Sequence, residues 1–189
     1  MKPCLTMLLT MTVFLLVPPN ATPADGDGGY AGAFYQIPIG ARPTAMGGAY
    51  LALSDDGAAP RYNPAGIVVI DHKLFATSYR LLELDRKLGY VTLLFPTFGF
   101  STLGVHWLYA GSGNVQARNS DGDALGRDLG MNNHDIAIVF AKRFERSLSL
   151  GLKISYLHST FAEMTAYSVG FDFGAMISVS YTHLRAHET

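Results

Sequence analysis

From residue 72 onward apolar and polar side chains alternate with a period of two, the rhythm of strands with two unlike faces and not of helices. Residues 148–159 are the clearest case: Leu148, Leu150, Leu152, Ile154, Tyr156 and His158 fall on one side, with Ser149, Gly151, Lys153, Ser155, Leu157 and Ser159 on the other. Residues 167–176 set Tyr167, Val169, Phe171 and Phe173 against Ser168, Gly170, Asp172 and Gly174. Residues 101–110 set Leu103, Val105, Trp107 and Tyr109 against Thr102, Gly104 and His106. Residues 133–141 oppose His134, Ile136, Ile138 and Phe140 to Asp135. The rhythm is weaker over 72–82, where Phe75, Tyr79 and Leu81 face away from Ala76, Ser78 and Arg80. Residues 87–95 are apolar on both sides and yield no face.

The pattern predicts an all-β fold of six antiparallel strands, each of about 9–12 residues, the length of a tilted strand crossing a bilayer. Soluble sandwiches use strands of ~5–6 residues more often. The connections are expected to alternate between short (a tight turn at Pro96-Thr97-Phe98-Gly99, a charged one at 141–147) and longer (a polar loop over 111–131, a moderate one over 160–166). Short turns at one rim and long loops at the other characterise an outer-membrane barrel. Tyr79, Trp107, Tyr109, Tyr156 and Tyr167 fall toward the loop-bearing ends, where an interfacial girdle belongs. Alternation alone leaves two architectures open, a membrane barrel and a secreted β-sandwich.

Both ends of the chain differ from this texture. Lys2 followed by an apolar run over 5–17, then Pro18-Pro19 and the small residues around Ala24, is expected to be a signal peptide over 1–24. The run is too short for a spanning helix, which needs ~20 apolar residues. Residues 179–189 break the alternation and resemble a translated sequencing adapter, so His183 and His187 are not taken as a metal-ligand pair. The chain is thus expected to be the front part of a longer product, forming an open sheet with residues 30–70 on its concave face.

Composition narrows the classes. Hydrophobic residues make up 49% and charged residues 15%, against about 25% charged in a typical soluble domain. A net charge of −1 supplies no basic field for nucleic acid. The lone Cys4 lies inside the expected signal, which leaves no disulfide or cysteine chemistry in the mature chain.

Residues 25–70 are rich in Gly, Ala and Pro, and are expected to form a compact plug. Gly47-Gly48, Asp55-Asp56-Gly57 and Asn63-Pro64-Ala65-Gly66 read as turns, and only 46–54 promises a short helix. The run Gly40-Ala41-Arg42, Met46-Gly47-Gly48-Ala49, Ala52-Leu53-Ser54-Asp55-Asp56 and Tyr62-Asn63-Pro64-Ala65-Gly66 resembles the N-terminal signature of the PorV/PorQ branch of FadL-like outer-membrane proteins. Tyr62 stands where that family usually has Trp, Pro60-Arg61 replace smaller residues, and Ile67 replaces Leu. The resemblance covers the chain to about Ser178 in motif order and strand layout. It implies a transmembrane β-barrel of about fourteen strands with an N-terminal hatch in its lumen, here cut to six strands over 71–178.

Candidate chemistry is sparse. Gly40, Arg42, Met46, Gly47, Gly48, Asp55, Asp56, Asn63, Pro64, Ala65 and Gly66 are the residues that the family motif marks for the hatch or a ligand. Asn63 either holds the plug to the wall and lets it shift on ligand binding, or simply orders a Pro-initiated turn, which its position before Pro64 already favours. Asp55 and Asp56 beside Arg42 and Arg61 suggest ion pairs that pin the plug. His106, Lys153 and Asp172 are the lumen-facing candidates. Asn119, Asp121 and Asp123 have calcium-loop spacing, but Ala124 and Gly130 replace the required Gly and Glu, so no metal site is expected. No nucleophile or metalloprotease motif surrounds any His, so neither an enzyme nor a cofactor is expected.

Two functions follow from the resemblance: uptake of hydrophobic small molecules through the outer membrane, or an accessory role in type IX secretion with a protein cargo. The expected partners are outer-membrane lipid and one of these two ligands, with no nucleic acid. The expected location is the bacterial outer membrane.

Overall fold

A computed structural model describes residues 32–119, 122–144, 147–162 and 164–178. The expected signal peptide and adapter-like tail, and Asp121 of the calcium-like spacing, lie outside the described residues. Six antiparallel strands pair in chain order: β1 (Leu74–Leu82), β2 (Arg86–Thr97), β3 (Ser101–Arg118), β4 (Ala124–Arg143), β5 (Leu148–Phe161) and β6 (Met164–Ile177). The sheet is open, since β1 and β6 are not paired with each other. Among the described residues no helix is long and apolar enough to cross a membrane.

The two faces of the sheet differ, one apolar and exposed, the other mixed and largely buried, and the split follows the alternation. One register row, Phe75, Leu93, Val105, Ile138, Ile154 and Phe171, is apolar in every strand, and each residue is 40–64% exposed. The neighbouring row on the other face, Ala76, Thr92, His106, Ala137, Ser155 and Gly170, is small or polar, and its four central members are buried. We call these the apolar and polar faces. β2, which has no readable side in the sequence, is oriented with Leu88, Tyr90, Thr92 and Leu94 on the polar face. Its apolar side chains there pack against the preceding segment, which is why both of its faces read as hydrophobic.

That segment lies on the polar face. It is built from a 3₁₀ turn η1 (Ala33–Gln36), helix α1 (Ala41–Ala45), helix α2 (Ala59–Tyr62) and a 3₁₀ helix η2 (Pro64–Val69). One core cluster joins Ala59, Ile67, Val68 and Ile70 to Leu94, Val139 and Ala141, and a second joins Phe34 and Ile39 to Leu88, Tyr90, Leu108 and Ala110. Pro60 and Pro64 sit in the first turns of their helices, where a missing N–H costs nothing. The helix expected over 46–54 does not form: Gly47 and Gly48 take φ of 62° and 84°, so the chain turns there.

Two connections also differ from expectation. The long loop over 111–131 is largely strand: β3 runs on to Arg118 and β4 starts at Ala124. The ladder absorbs the Gly-rich sequence with register shifts between Ser112 and Val115 and between Gln116 and Arg118. The Asn119 side chain accepts from the Asp123 amide at 2.8 Å, closing the turn. The connection over 160–166 is likewise a tight hairpin, with Ala162 at φ 51° between Phe161 and Met164.

Candidate functional site

The motif residues Asn63 to Gly66 form a seat between the N-terminal segment and the end of the sheet. Asn63 caps η2, its Oδ1 accepting from the Ala65 amide at 3.1 Å. Its Nδ2 donates to the Leu51 carbonyl at 3.2 Å and to the Ala175 carbonyl on β6 at 3.1 Å. One side chain therefore orders its own turn and ties it to the sheet. Beneath it Gly151 and Gly174 are register partners on the polar face. A Cβ on Gly151 would lie 2.3 Å from the Ala65 nitrogen, and one on Gly174 2.3 Å from Asn63 Oδ1. Gly66 is pressed against Ser54 in the same way, since a Cβ on it would lie 1.9 Å from the Ser54 carbonyl oxygen.

The other motif residues brace the segment internally. Arg42 pairs with Asp55, and the Tyr50 hydroxyl donates to the same carboxylate at 3.0 Å. Its hydrogen bond to Asp55 raises the Arg42 guanidinium above its usual range. Burial, with the Asp56 and Asp55 carboxylates beside it, pushes the Tyr50 phenol up. Tyr50 meets Tyr62 edge-on at 5.4 Å. The Tyr62 hydroxyl accepts from the Ile39 amide at 2.9 Å and donates to the Ile39 carbonyl at 3.2 Å. Gly40 starts α1 at φ 84°, a conformation that favours glycine, whereas Met46 is exposed. The expected four-residue ion-pair network is not formed. Asp56 accepts from the Ala58 amide at 2.8 Å, and Arg61 turns away, stacking on the Tyr35 ring at 4.5 Å and donating to the Tyr35 carbonyl. The short Asp56-Gly57-Ala58 turn uses the nearer partner.

His106, Lys153 and Asp172 all lie on the polar face. Lys153 and Asp172 are directly opposed on β5 and β6 and form an ion pair, with Lys153 buried. His106 Nε2 lies 3.4 Å from Asp135 Oδ2, and both side chains are fully buried. Tyr35 reaches this pair from above: burial, followed by the Asp135 carboxylate, raises its phenol. The Tyr90 ring lies 5.5 Å from His106, and its hydroxyl donates to the Gly57 carbonyl at 3.2 Å. Arg80 Nη1 donates to the Pro38 carbonyl at 3.1 Å beside a crevice of about 450 Å³ between α1 and the β1–β2 hairpin. Hydrogen bonds at Arg80, Tyr90 and Ala175 thus join the sheet to the segment.

Asp135 and Tyr35 are the site residues that the sequence reading did not single out. Asp135 had a signal, as the one charged residue in 133–141. Tyr35 had none, because the irregular segment carries no periodicity.

On the opposite face the register row Tyr79, Gly89, Tyr109, His134, His158 and Tyr167 crosses all six strands. Its rings lie in successive contact, Tyr109 to His134 at 5.1 Å, His134 to His158 at 6.1 Å and His158 to Tyr167 at 5.0 Å. Trp107 adds its indole, donating to His134 Nδ1 at 3.3 Å. No protein-family model, curated protein or solved structure matches this chain.

Proposed function

We propose that the chain is part of an outer-membrane β-barrel wall whose N-terminal segment plugs the lumen, and that it takes up hydrophobic small molecules. The observation that carries the membrane reading is the continuous apolar face that the sheet leaves uncovered. The sheet's covered face mixes Thr, Ser, Asn, Gly and buried charged side chains with the apolar residues on which the segment packs, whereas its uncovered face bears Phe, Leu, Ile, Val and Trp with nothing over them. In water such a face forfeits much of the ~1.5–3 kcal/mol that burying each large apolar side chain supplies. A continuous apolar face this large is a surface for hydrocarbon or for another protein.

The row order favours hydrocarbon. From the aromatic row, three steps of two residues lead to the row of Phe95, Leu103, Phe140, Leu152 and Phe173. At ~3.3 Å per residue that is about 20 Å along the strands, close to the ~25 Å apolar band of membrane barrels. Beyond one end polar residues enter with Thr97, Ser101 and Lys142, in a row that β5 and β6 complete with Leu150 and Ala175, and beyond the other with Lys87, Asn132, Thr160 and Thr165. A sandwich would need neither a ring girdle nor a second, small-residue core on its far side. The uptake role rests on the motif resemblance, and the tied but separable plug is what such a role requires.

A second reading, an accessory of protein secretion, draws on the β3–β4 hairpin, which continues past the aromatic row from Tyr109 to Arg118 as a projecting arm. Trp107 is the sole tryptophan, so its fluorescence reports on the face directly. After refolding into vesicles, brominated lipids should quench it. An unquenched Trp107 in a folded protein would overturn the membrane reading. Cells producing a closed barrel that carries these strands should then accumulate a hydrophobic fluorophore faster than cells producing its Ile154→Arg form. Equal rates with normal insertion would favour the secretion role.

A further inference from the structure

We propose that the buried His106–Asp135 pair is a proton-operated lock, protonation of His106 releasing the N-terminal segment from the polar face. The inference rests on reading that segment as a movable plug. The two residues sit on adjacent strands, His106 opposite Ala137 and Asp135 opposite Leu108, so they meet diagonally. The lid over them is the segment itself: Tyr35 stands at Asp135, and Gly57 is held by Tyr90 beside the His106 ring.

The protonation state follows from the contacts. A neutral imidazole carrying its proton on Nε2 donates to Asp135 Oδ2 and leaves a bare lone pair on Nδ1. Among the described residues, His106 Nδ1, Asp135 Oδ1 and Arg61 Nε have no hydrogen-bond partner despite being fully buried. A second proton would create an N–H at Nδ1 with no protein acceptor, on a side chain that is fully buried, and an unsatisfied buried donor is costly. If the segment lifts, solvent supplies the acceptor. The seated state therefore favours neutral His106 more strongly than the lifted state does, and seating weakens as pH falls through the ordinary histidine range.

The other charged and titratable groups facing the pair are Tyr90 on β2, Lys153 on β5, Asp172 on β6, and Tyr35 and Arg61 from the segment. Lys153 and Arg61 add positive charge near an imidazolium, while Asp135 opposes them. Only histidine has an ordinary pKa between about 5 and 8, so a transition there belongs to His106 or to a histidine elsewhere, and substitution separates the two.

The experiment uses the full chain with Cys4→Ser, Leu53→Cys and Val169→Cys, spin-labelled at the two new thiols and refolded in detergent. Leu53 lies in the segment and Val169 on the apolar face, both exposed. Electron–electron distances at about pH 7.5 should give one population. At about pH 5.0 a second, separated population should appear, the lifted-to-seated ratio rising about tenfold, and vanish on back-titration. His106→Gln keeps a side-chain donor toward Asp135 but cannot titrate, and should hold one distance at both pH values. His106→Asn replaces it if the Gln variant does not refold. An unchanged wild-type distance distribution would sink the lock, as would a wild-type response in either variant. Trp107 quenching is independent of this readout, so the lock can fail while the membrane reading stands.

Discussion

Gly151 and Gly174 face each other across β5 and β6, and the Asn63-Pro64-Ala65 turn occupies the space their missing side chains would fill. The pairing joins a sequence motif to a surface more than eighty residues away, as the matching halves of one joint. Backbone, not a flexible side-chain tip, is what a Cβ on Gly151 would strike, so the clash cannot be relieved by a rotamer change.

Gly151→Ala should therefore destabilise the folded chain by about 1–3 kcal/mol, the range for overpacking a tight contact. Gly170→Ala is the control. It lies on the same face of β6, where an added Cβ meets Ser155 at an ordinary 3.8 Å, and it should change little. Urea midpoints of the two variants give the comparison. Equal midpoints would mean that the segment does not rest on Gly151.

Asn63→Ala tests the other half of the joint. It removes the donor to the Leu51 and Ala175 carbonyls and the acceptor for the Ala65 amide. Each group left unsatisfied in a buried place costs about 1–3 kcal/mol. Asn63→Asp keeps the cap but loses the donor and puts a charge opposite two carbonyls, so it should be no better than Ala. If Asp instead matched wild type in a urea titration, the wall contact would be dispensable and capping the whole role.

The strands were legible because two faces of unlike chemistry print a period of two into the chain. β5 and β6 read off directly, and the alternation held even where His158 took an outward position in the aromatic row. β2 was opaque because Leu88, Tyr90 and Leu94 meet Phe34, Ile39 and Ile67, so its inward side is as apolar as its outward one. The extension of β3 and β4 was hidden by Gly111, Gly113 and Gly130, turn-like by composition: Gly111 pairs in the ladder opposite Asn132, and Gly113 and Gly130 fall at its register shift. In the site, Asn63 and Lys153 were visible as residue types in a patterned place. The His106–Asp135 pair was not, because a diagonal contact depends on strand register, which the sequence does not print.

Tyr50 carries a pH prediction for the segment. Its phenol is raised by burial first, and by the Asp56 and Asp55 carboxylates second. A group that holds its proton longer when folded makes the unfolded chain the weaker proton binder above about pH 10, so stability must fall as pH climbs past that value. Tyr35 is raised as well and adds to the slope. Unfolding free energy of wild type should decline from about pH 10 upward, and Tyr50→Phe should flatten the decline. A slope unaffected by Tyr50→Phe and Tyr35→Phe together would show that neither phenol is held as the contacts imply.

Ser168 and Val169 give the sharpest test of which face meets lipid. They are neighbours on β6, both exposed, with side chains on opposite faces of the sheet. Ser155 is the less useful inward probe because it is buried, so arginine there would be penalised by crowding whatever the solvent. Val169 lies one row in from the aromatic row, opposite Tyr156. If that face contacts hydrocarbon, Val169→Arg should cost up to about 2–4 kcal/mol, less in proportion to its nearness to the interface. Ser168→Arg faces a wet lumen and should cost far less, because the guanidinium keeps its hydration. In a water-soluble sheet with an exposed apolar face the order would collapse, since arginine at Val169 would replace an exposed valine at no desolvation cost. Refolding titrations into lipid vesicles, with both variants compared against wild type, read the difference. Two equal costs would remove the membrane from this protein's account.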